Sequence, residues 1–173
     1  MASGHRKYIG FRMVNRPGAP GYRPFMQRHH LLPRQLLGTT CFAPLFATLG
    51  CESIGFDDFR TNGLLLPASA EAALETGLPL HRGPHRNYNQ MVAERVGQIE
   101  AGWRRSGLRN PSLARDEALV RLALLQNGLR RQLLQREGRL ATLSRKDPFR
   151  AGLDFTELDA LAEMLWTEMM PQT

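Results

Sequence analysis

The sequence predicts a mostly helical α+β chain, and three observations carry that expectation. Apolar residues recur at helical spacing over two long stretches of the second half. Gly and Pro punctuate the first half so closely that only short elements fit there. The apolar triplet Leu64, Leu65, Leu66 sits between the turn signal Asn62-Gly63 and Pro67, which suits a short strand.

The elements follow in chain order. Residues 1–24 hold Pro17, Gly18, Pro20, Gly21 and Pro24 among scattered Arg, and read as a basic lead-in with a short strand at Tyr8–Val14 and then a loop. From Pro33 to Leu49, Leu, Phe and Ala mix with Gly38 and Pro44, which suits two short helices. Ala68–Thr76 reads as a short helix stopped by Gly77. Pro84 suits the first position of a helix in which Tyr88, Met91, Val92, Val96 and Ile99 share one face, with Gly107 at its end. Asn110-Pro111 starts the next helix, whose Ala118, Leu122, Leu125, Leu129 and Leu133 fall at spacings of 4, 3, 4 and 4, until Gly138 interrupts the pattern. Asp154, with Glu157 three residues on, would cap a last helix with the stripe Phe155, Leu158, Leu161, Leu165 and Met169. Such stripes are core or partner-helix faces rather than catalytic features.

Composition narrows the function classes. In 173 residues, 42% apolar content supports a core and excludes wholesale disorder. No apolar run approaches the roughly 18–20 residues of a membrane span. The basic start MASGHRKYIGFRM lacks the following apolar stretch of about 7–15 residues that a signal peptide needs. The expectation is therefore no membrane, and either a cytoplasmic enzyme or a protein exported by a specialised secretion system. Cys41 and Cys51 have no CxxC spacing and read as free thiols. The net charge of +7 is unevenly spread: +7 over residues 1–51, −3 over 52–100, +8 over 101–151 and −5 over 152–173. Basic blocks of this size suit a polyanion such as nucleic acid. A genome rich in G and C is the competing explanation, because 21 of the 23 basic residues are Arg. The acidic tail either folds back on the +8 segment or is solvated.

Four of the five histidines fall in two close pairs. His29 and His30 are adjacent, so on an extended strand their side chains point to opposite sides; one can bind a metal while the other faces a substrate. His81 and His85, in His-Arg-Gly-Pro-His, are four apart, a spacing that shares a face on a helix. Gly83-Pro84 argues instead for a turn into a helix, with His81 just before it and His85 in its first turn. Imidazole is the commonest transition-metal ligand, and three His with an open position mark a catalytic rather than a structural site.

Three blocks in order, His29-His30-Leu-Leu-Pro33, then Gly55-Phe-Asp57-Asp58-Phe-Arg-Thr-Asn62-Gly-Leu-Leu-Leu-Pro67, then His81-Arg-Gly-Pro-His85-Arg-Asn-Tyr88-Asn89, resemble the AHH nucleases. These belong to the HNH or ββα-metal (His-Me finger) endonucleases, common among bacterial polymorphic toxins. The resemblance covers about residues 25–97, and Arg28 stands where the family name places a small residue. It implies a ββα-metal core with a helical insertion between the strands of its hairpin; residues 1–24 and 100–173 have no counterpart in it, and the helical periodicity makes the latter a C-terminal helical extension. The corresponding division is a lead-in at 1–24, a nuclease core at 25–100 and the extension at 101–173. The resemblance further implies that His29, His81 and His85 hold one divalent ion (Mg, Mn, Ni or Zn), that His30 is the general base, and that Asn62 braces the hairpin and helps to orient His30.

Arg82 and Arg86 lie beside the ligand histidines and either contact phosphate or are solvated surface arginines. Tyr88 is expected as a half-buried core residue or a hydrogen-bond donor near the site. The implied activity is hydrolysis of nucleic-acid phosphodiesters. DNA is favoured over RNA by the family alone, since no stacking aromatic set appears. If the chain is an exported toxin, its producer needs an immunity protein. The rival expectations are a basic nucleic-acid-binding module with a structural zinc, and a partner-binding or dimerising helical module with a degenerate core.

Overall fold

A computed structural model describes residues 8–135, 143–144 and 146–149. The expected stripe after Asp154 and the break at Gly138 lie outside the described residues. The fold is the expected mostly helical α+β type. Strand β1 (Met26–His30) pairs with β2 (Gly63–Pro67) in an antiparallel two-stranded sheet, with register from Met26↔Pro67 to His30↔Gly63. Between the strands lie two 3-10 turns at Arg34–Gly38 and Thr40–Phe42, then α1 (Ala43–Leu49), α2 (Cys51–Ile54) and α3 (Phe59–Asn62). After β2 come α4 (Ala70–Thr76) and two long helices, α5 (Arg86–Gly107) and α6 (Pro111–Leu134). Among the described residues no helix is long and apolar enough to cross a membrane. Cys41 and Cys51 are free and exposed.

The local chemistry explains the boundaries. Ser69 caps α4 by accepting from the Ala72 N–H, and Gly77 in the left-handed region ends it. Gly83 has φ +83°, which an α-helix cannot contain, so α5 begins at Arg86 with His85 as its N-cap instead of at Pro84. Asn110 caps α6 by accepting from Leu113 N–H, and Pro111 occupies its first turn.

The expected strand at Tyr8–Val14 does not form. Asp58 accepts the Ile9 N–H at 3.1 Å, Phe59 N–H donates to the Ile9 carbonyl at 2.7 Å, and Gly10 makes a single bridge with Asp58. With those groups used, the chain turns into a 3-10 segment at Phe11–Met13. The stripe of α6 is also shifted. Leu125 is only half-buried, and Gln126, 2% exposed, takes the inward position beside Leu122 and Leu129.

One core joins the insertion to the long helices. Leu31, Leu32, Leu36, Leu45, Leu49 and Phe56 pack with Val92 and Val96 of α5 and Leu122 and Leu133 of α6. A two-stranded sheet is at best marginally stable by itself, so this apolar wall is what keeps the ribbon in place. Gly63 is where the packing is tightest. A Cβ there would lie 2.2 Å from Phe59 Cδ2 and 2.6 Å from the Phe59 carbonyl oxygen, whereas one at Gly128 would meet nothing within 4 Å.

The same substitution should therefore have opposite signs at the two sites. Gly63→Ala is expected to destabilise by about 1–3 kcal/mol through overpacking. Gly128→Ala, on the exposed side of α6, is expected to stabilise by about 0.5–1 kcal/mol through helix propensity. Urea-unfolding midpoints of the two variants against wild type check both signs.

Candidate metal centre

Strand alternation separates the two adjacent histidines. His29 is 3% exposed and faces inward, while His30 is half-buried on the other side of β1. His81 and His85 come from the segment between α4 and α5. The His81 N–H donates to the Pro67 carbonyl at 2.7 Å, which ties that segment to the end of β2. The left-handed Gly83 then turns the chain so that His85 returns toward His81. Ring centroids are 5.0 Å apart for His29 and His81, 5.7 Å for His29 and His85, and 4.4 Å for His81 and His85. One ligand atom from each of the three lies within 4.8 Å of the others.

The remaining ring atoms indicate that the arrangement suits a cation. His81 Nδ1–H donates to Gln27 Oε1 at 3.1 Å, and His85 Nδ1–H donates to the Leu143 carbonyl at 3.0 Å. Each of these bonds leaves Nε2 with its lone pair as the free ligand atom. His29 Nε2 is buried without a hydrogen-bond partner, which is costly unless an ion or a water completes it. Burial, then the neighbouring His81, His85 and His30, lowers the His29 pKa to about 2. Burial, then His85, lowers that of His81 to about 4. Both rings are therefore neutral at pH 7, the form that coordinates a metal.

His30 is held from different directions. Phe11 stacks on it with centroids 3.6 Å apart and planes within 4°, and Phe59 meets Phe11 edge-on at 5.1 Å. Its Nε2 is also buried without a partner. Burial first, then the Arg34 guanidinium, lowers its pKa to about 4, opposed by Asp57. Arg34 and Asp57 form an ion pair at 2.7 Å. Arg28, at the position expected to be small, is exposed and donates to the Phe11 carbonyl at 2.9 Å, so it secures the segment that covers His30.

No hydrogen bond joins Asn62 to His30 among the described residues. Asn62 is fully buried and grips the backbone just beyond His30. Its Oδ1 accepts from Leu32 N–H at 2.7 Å, and its Nδ2 donates to the carbonyls of Leu32 at 3.2 Å and Phe56 at 3.0 Å. The Asn62 carbonyl accepts from Leu31 N–H at 2.8 Å. Tyr88, 4% exposed rather than half-buried, donates to the Leu31 carbonyl at 2.8 Å and lies edge-on to His29 at 5.0 Å. Arg82 and Arg86 are both exposed.

Sequence reasoning missed several contributors. Gln126 donates to Asn62 Oδ1 at 3.3 Å and to the Ile54 carbonyl at 3.4 Å. Arg130 donates to the carbonyls of Gly63 at 2.9 Å, Arg60 at 2.6 Å and Thr61 at 3.2 Å. The signal for both was a polar residue on the buried side of an otherwise apolar helical stripe. Gln27 and Phe11 carried no such signal.

Among known families, the model described as a nuclease family of the HNH/ENDO VII superfamily with conserved AHH matches residues 11–129. That span exceeds the motif blocks in both directions and takes in Phe11 and Gln126. No curated protein and no solved structure shows a significant match.

Replacing Asn62 by Ala would leave buried backbone groups of Leu32 and Phe56 unpaired. A loss of about 2–3 kcal/mol in unfolding free energy is expected, and urea denaturation of Asn62→Ala against wild type measures it.

Proposed function

This chain belongs to the AHH nucleases of the HNH/ENDO VII superfamily, and on that premise we propose that it is a divalent-metal-dependent endonuclease acting on DNA with little sequence preference. The observation that carries the metal-dependent reading is the convergence of His29, His81 and His85, with ligand atoms within 4.8 Å of one another. A structural zinc takes four protein ligands, whereas a catalytic one keeps a position open. Among the described residues no fourth His, Cys or carboxylate joins the cluster. His30, adjacent to His29 yet on the other side of β1, favours an enzyme over a basic binding module with a structural zinc, which has no need of it. The all-imidazole donor set suits Zn or Ni better than Mg or Mn, which prefer oxygen.

A divalent ion in the triad supplies Lewis-acid stabilisation of the charge that builds on the phosphate and on the leaving oxygen. The rest falls to the protein. His30, neutral at pH 7, takes a proton from the attacking water. Stacking on Phe11 keeps its ring in one plane. Asn62 and Tyr88 act as positioning residues: by holding Leu31 and Leu32 they hold the backbone that leaves β1 directly after His30. Gln27 and the Leu143 carbonyl keep the tautomers of His81 and His85 with Nε2 free. Such precision matters because a misplacement of about 1 Å at a reacting group can cost about 10²-fold.

Arg82 and Arg86, exposed and flanking His85, are suited to contact phosphates. Phosphate contacts orient a duplex without reading its bases, which supports the low specificity. The +8 block at residues 101–151 adds long-range attraction for a polyanion.

His30→Ala should lower plasmid nicking by about 10²–10⁴-fold while metal binding stays unchanged by titration calorimetry. Undiminished nicking would remove His30 as the base. His81→Ala and His85→Ala should each bind less than stoichiometric metal, and EDTA should abolish wild-type nicking. Full metal occupancy in both variants, measured by elemental analysis, would refute the ligand set.

A further inference from the structure

The loop carrying His81 and His85 is held from two sides. One side is the sheet, through the Pro67 carbonyl and Gln27. The other is built by Leu143, Ser144 and Asp147, far along the chain and outside the matched span 11–129. The Leu143 carbonyl accepts from His85 at 3.0 Å, and Asp147 Oδ2 accepts from the Leu80 N–H, next to His81, at 2.9 Å. Asp147 is 3% exposed. Its Oδ1 accepts from Phe149 N–H at 3.0 Å, and its own N–H donates to the Ser144 carbonyl at 3.3 Å. The carboxylate thus closes a turn that delivers Leu143, itself 4% exposed and part of the core, to His85.

A buried carboxylate is expensive unless its oxygens are satisfied. Both oxygens of Asp147 are occupied by backbone N–H groups, and among the described residues no Lys, Arg or His forms an ion pair with it. A side chain needed only for packing would be apolar here.

We propose that Asp147 is a positioning residue for the metal-binding loop. It fixes Leu80 beside His81 and, through the turn it closes, holds the Leu143 carbonyl that orients His85. This rests on the metal-site reading above and extends the centre to a segment beyond the family match. The physical basis is preorganisation: a histidine whose second nitrogen is bound to a fixed carbonyl presents the other in a set tautomer and direction. Without Asp147 the loop and the carbonyl must both be ordered when the ion binds.

The test uses the full chain and Co²⁺, with affinity from competition against a chromophoric chelator and the visible Co²⁺ spectrum as a probe of ligand geometry. Asp147→Ala should weaken Co²⁺ binding by up to about 10–100-fold, the range for losing a direct partner of a metal ligand, because it acts on His85 through the Leu143 carbonyl, and should alter the spectrum. Asp147→Asn offers one oxygen in place of two and should lose less, but measurably. Wild-type affinity and spectrum in both variants would overturn the proposal even if the metal-free protein melts lower, because Asp147 would then serve the fold alone. Should Asp147→Ala not fold, Asp147→Asn decides by the same two readouts, and a wild-type result from it overturns the proposal. A wild-type chain that binds no Co²⁺ would instead remove the metal-site reading, an outcome distinct from normal wild-type binding with unaffected variants.

Discussion

The buried carboxamide of Asn62 is the interaction on which the remaining geometry depends. It joins three stretches of chain: the exit from β1 through Leu32, the loop before α3 through Phe56, and α6 through Gln126. A fully buried amide that lost these partners would be left with unpaired donors and acceptors, so the three stretches are held together or not at all. The consequence reaches the sheet, because Asn62 directly precedes Gly63, the partner of His30 in the register. A slip of one residue would turn His29 away from His81 and His85. One amide therefore helps to decide which histidine faces the cluster.

The long helices make that register affordable. Five paired residues per strand bury too little to stand alone. The hairpin of α5 and α6 supplies the apolar wall, and two polar side chains of α6 reach through it. Gln126 completes the Asn62 network, and Arg130 satisfies carbonyls at the end of α3 and the start of β2. A cation at a helix C-terminus also opposes the partial negative charge there. The helical second half is thus a structural part of the centre as well as a source of positive charge.

The two sides of β1 carry different chemistry because their surroundings differ. Around His29, burial and two further imidazoles disfavour protonation, which leaves a cluster of lone pairs. Around His30, an aromatic face and the Arg34–Asp57 pair hold a single neutral ring. The basic lead-in contributes here by contact rather than by charge: Phe11 covers His30, and Arg28 secures Phe11.

Much was legible in the sequence because it is encoded locally. Helical periodicity marked α5 and α6, Asn110-Pro111, Gly77 and Gly107 marked helix ends, and the two close histidine pairs marked four candidate imidazoles, which the family resemblance divided into ligands and base. What was not legible has no local signature. The start of α5 shifted because Gly83 takes a left-handed turn that brings His85 back to His81. The strand expected at Tyr8–Val14 gave way because Asp58 and Phe59, about fifty residues away, capture the backbone of Ile9. Gln126, Arg130, Leu143 and Phe11 acquire their roles only from partners distant in sequence, and for Leu143 the contributing group is a backbone carbonyl, which every residue possesses. The sequence by itself determined the elements and the chemical groups available; only the tertiary structure decided which of them meet, because hydrogen bonds and burial depend on distances that residue spacing does not contain.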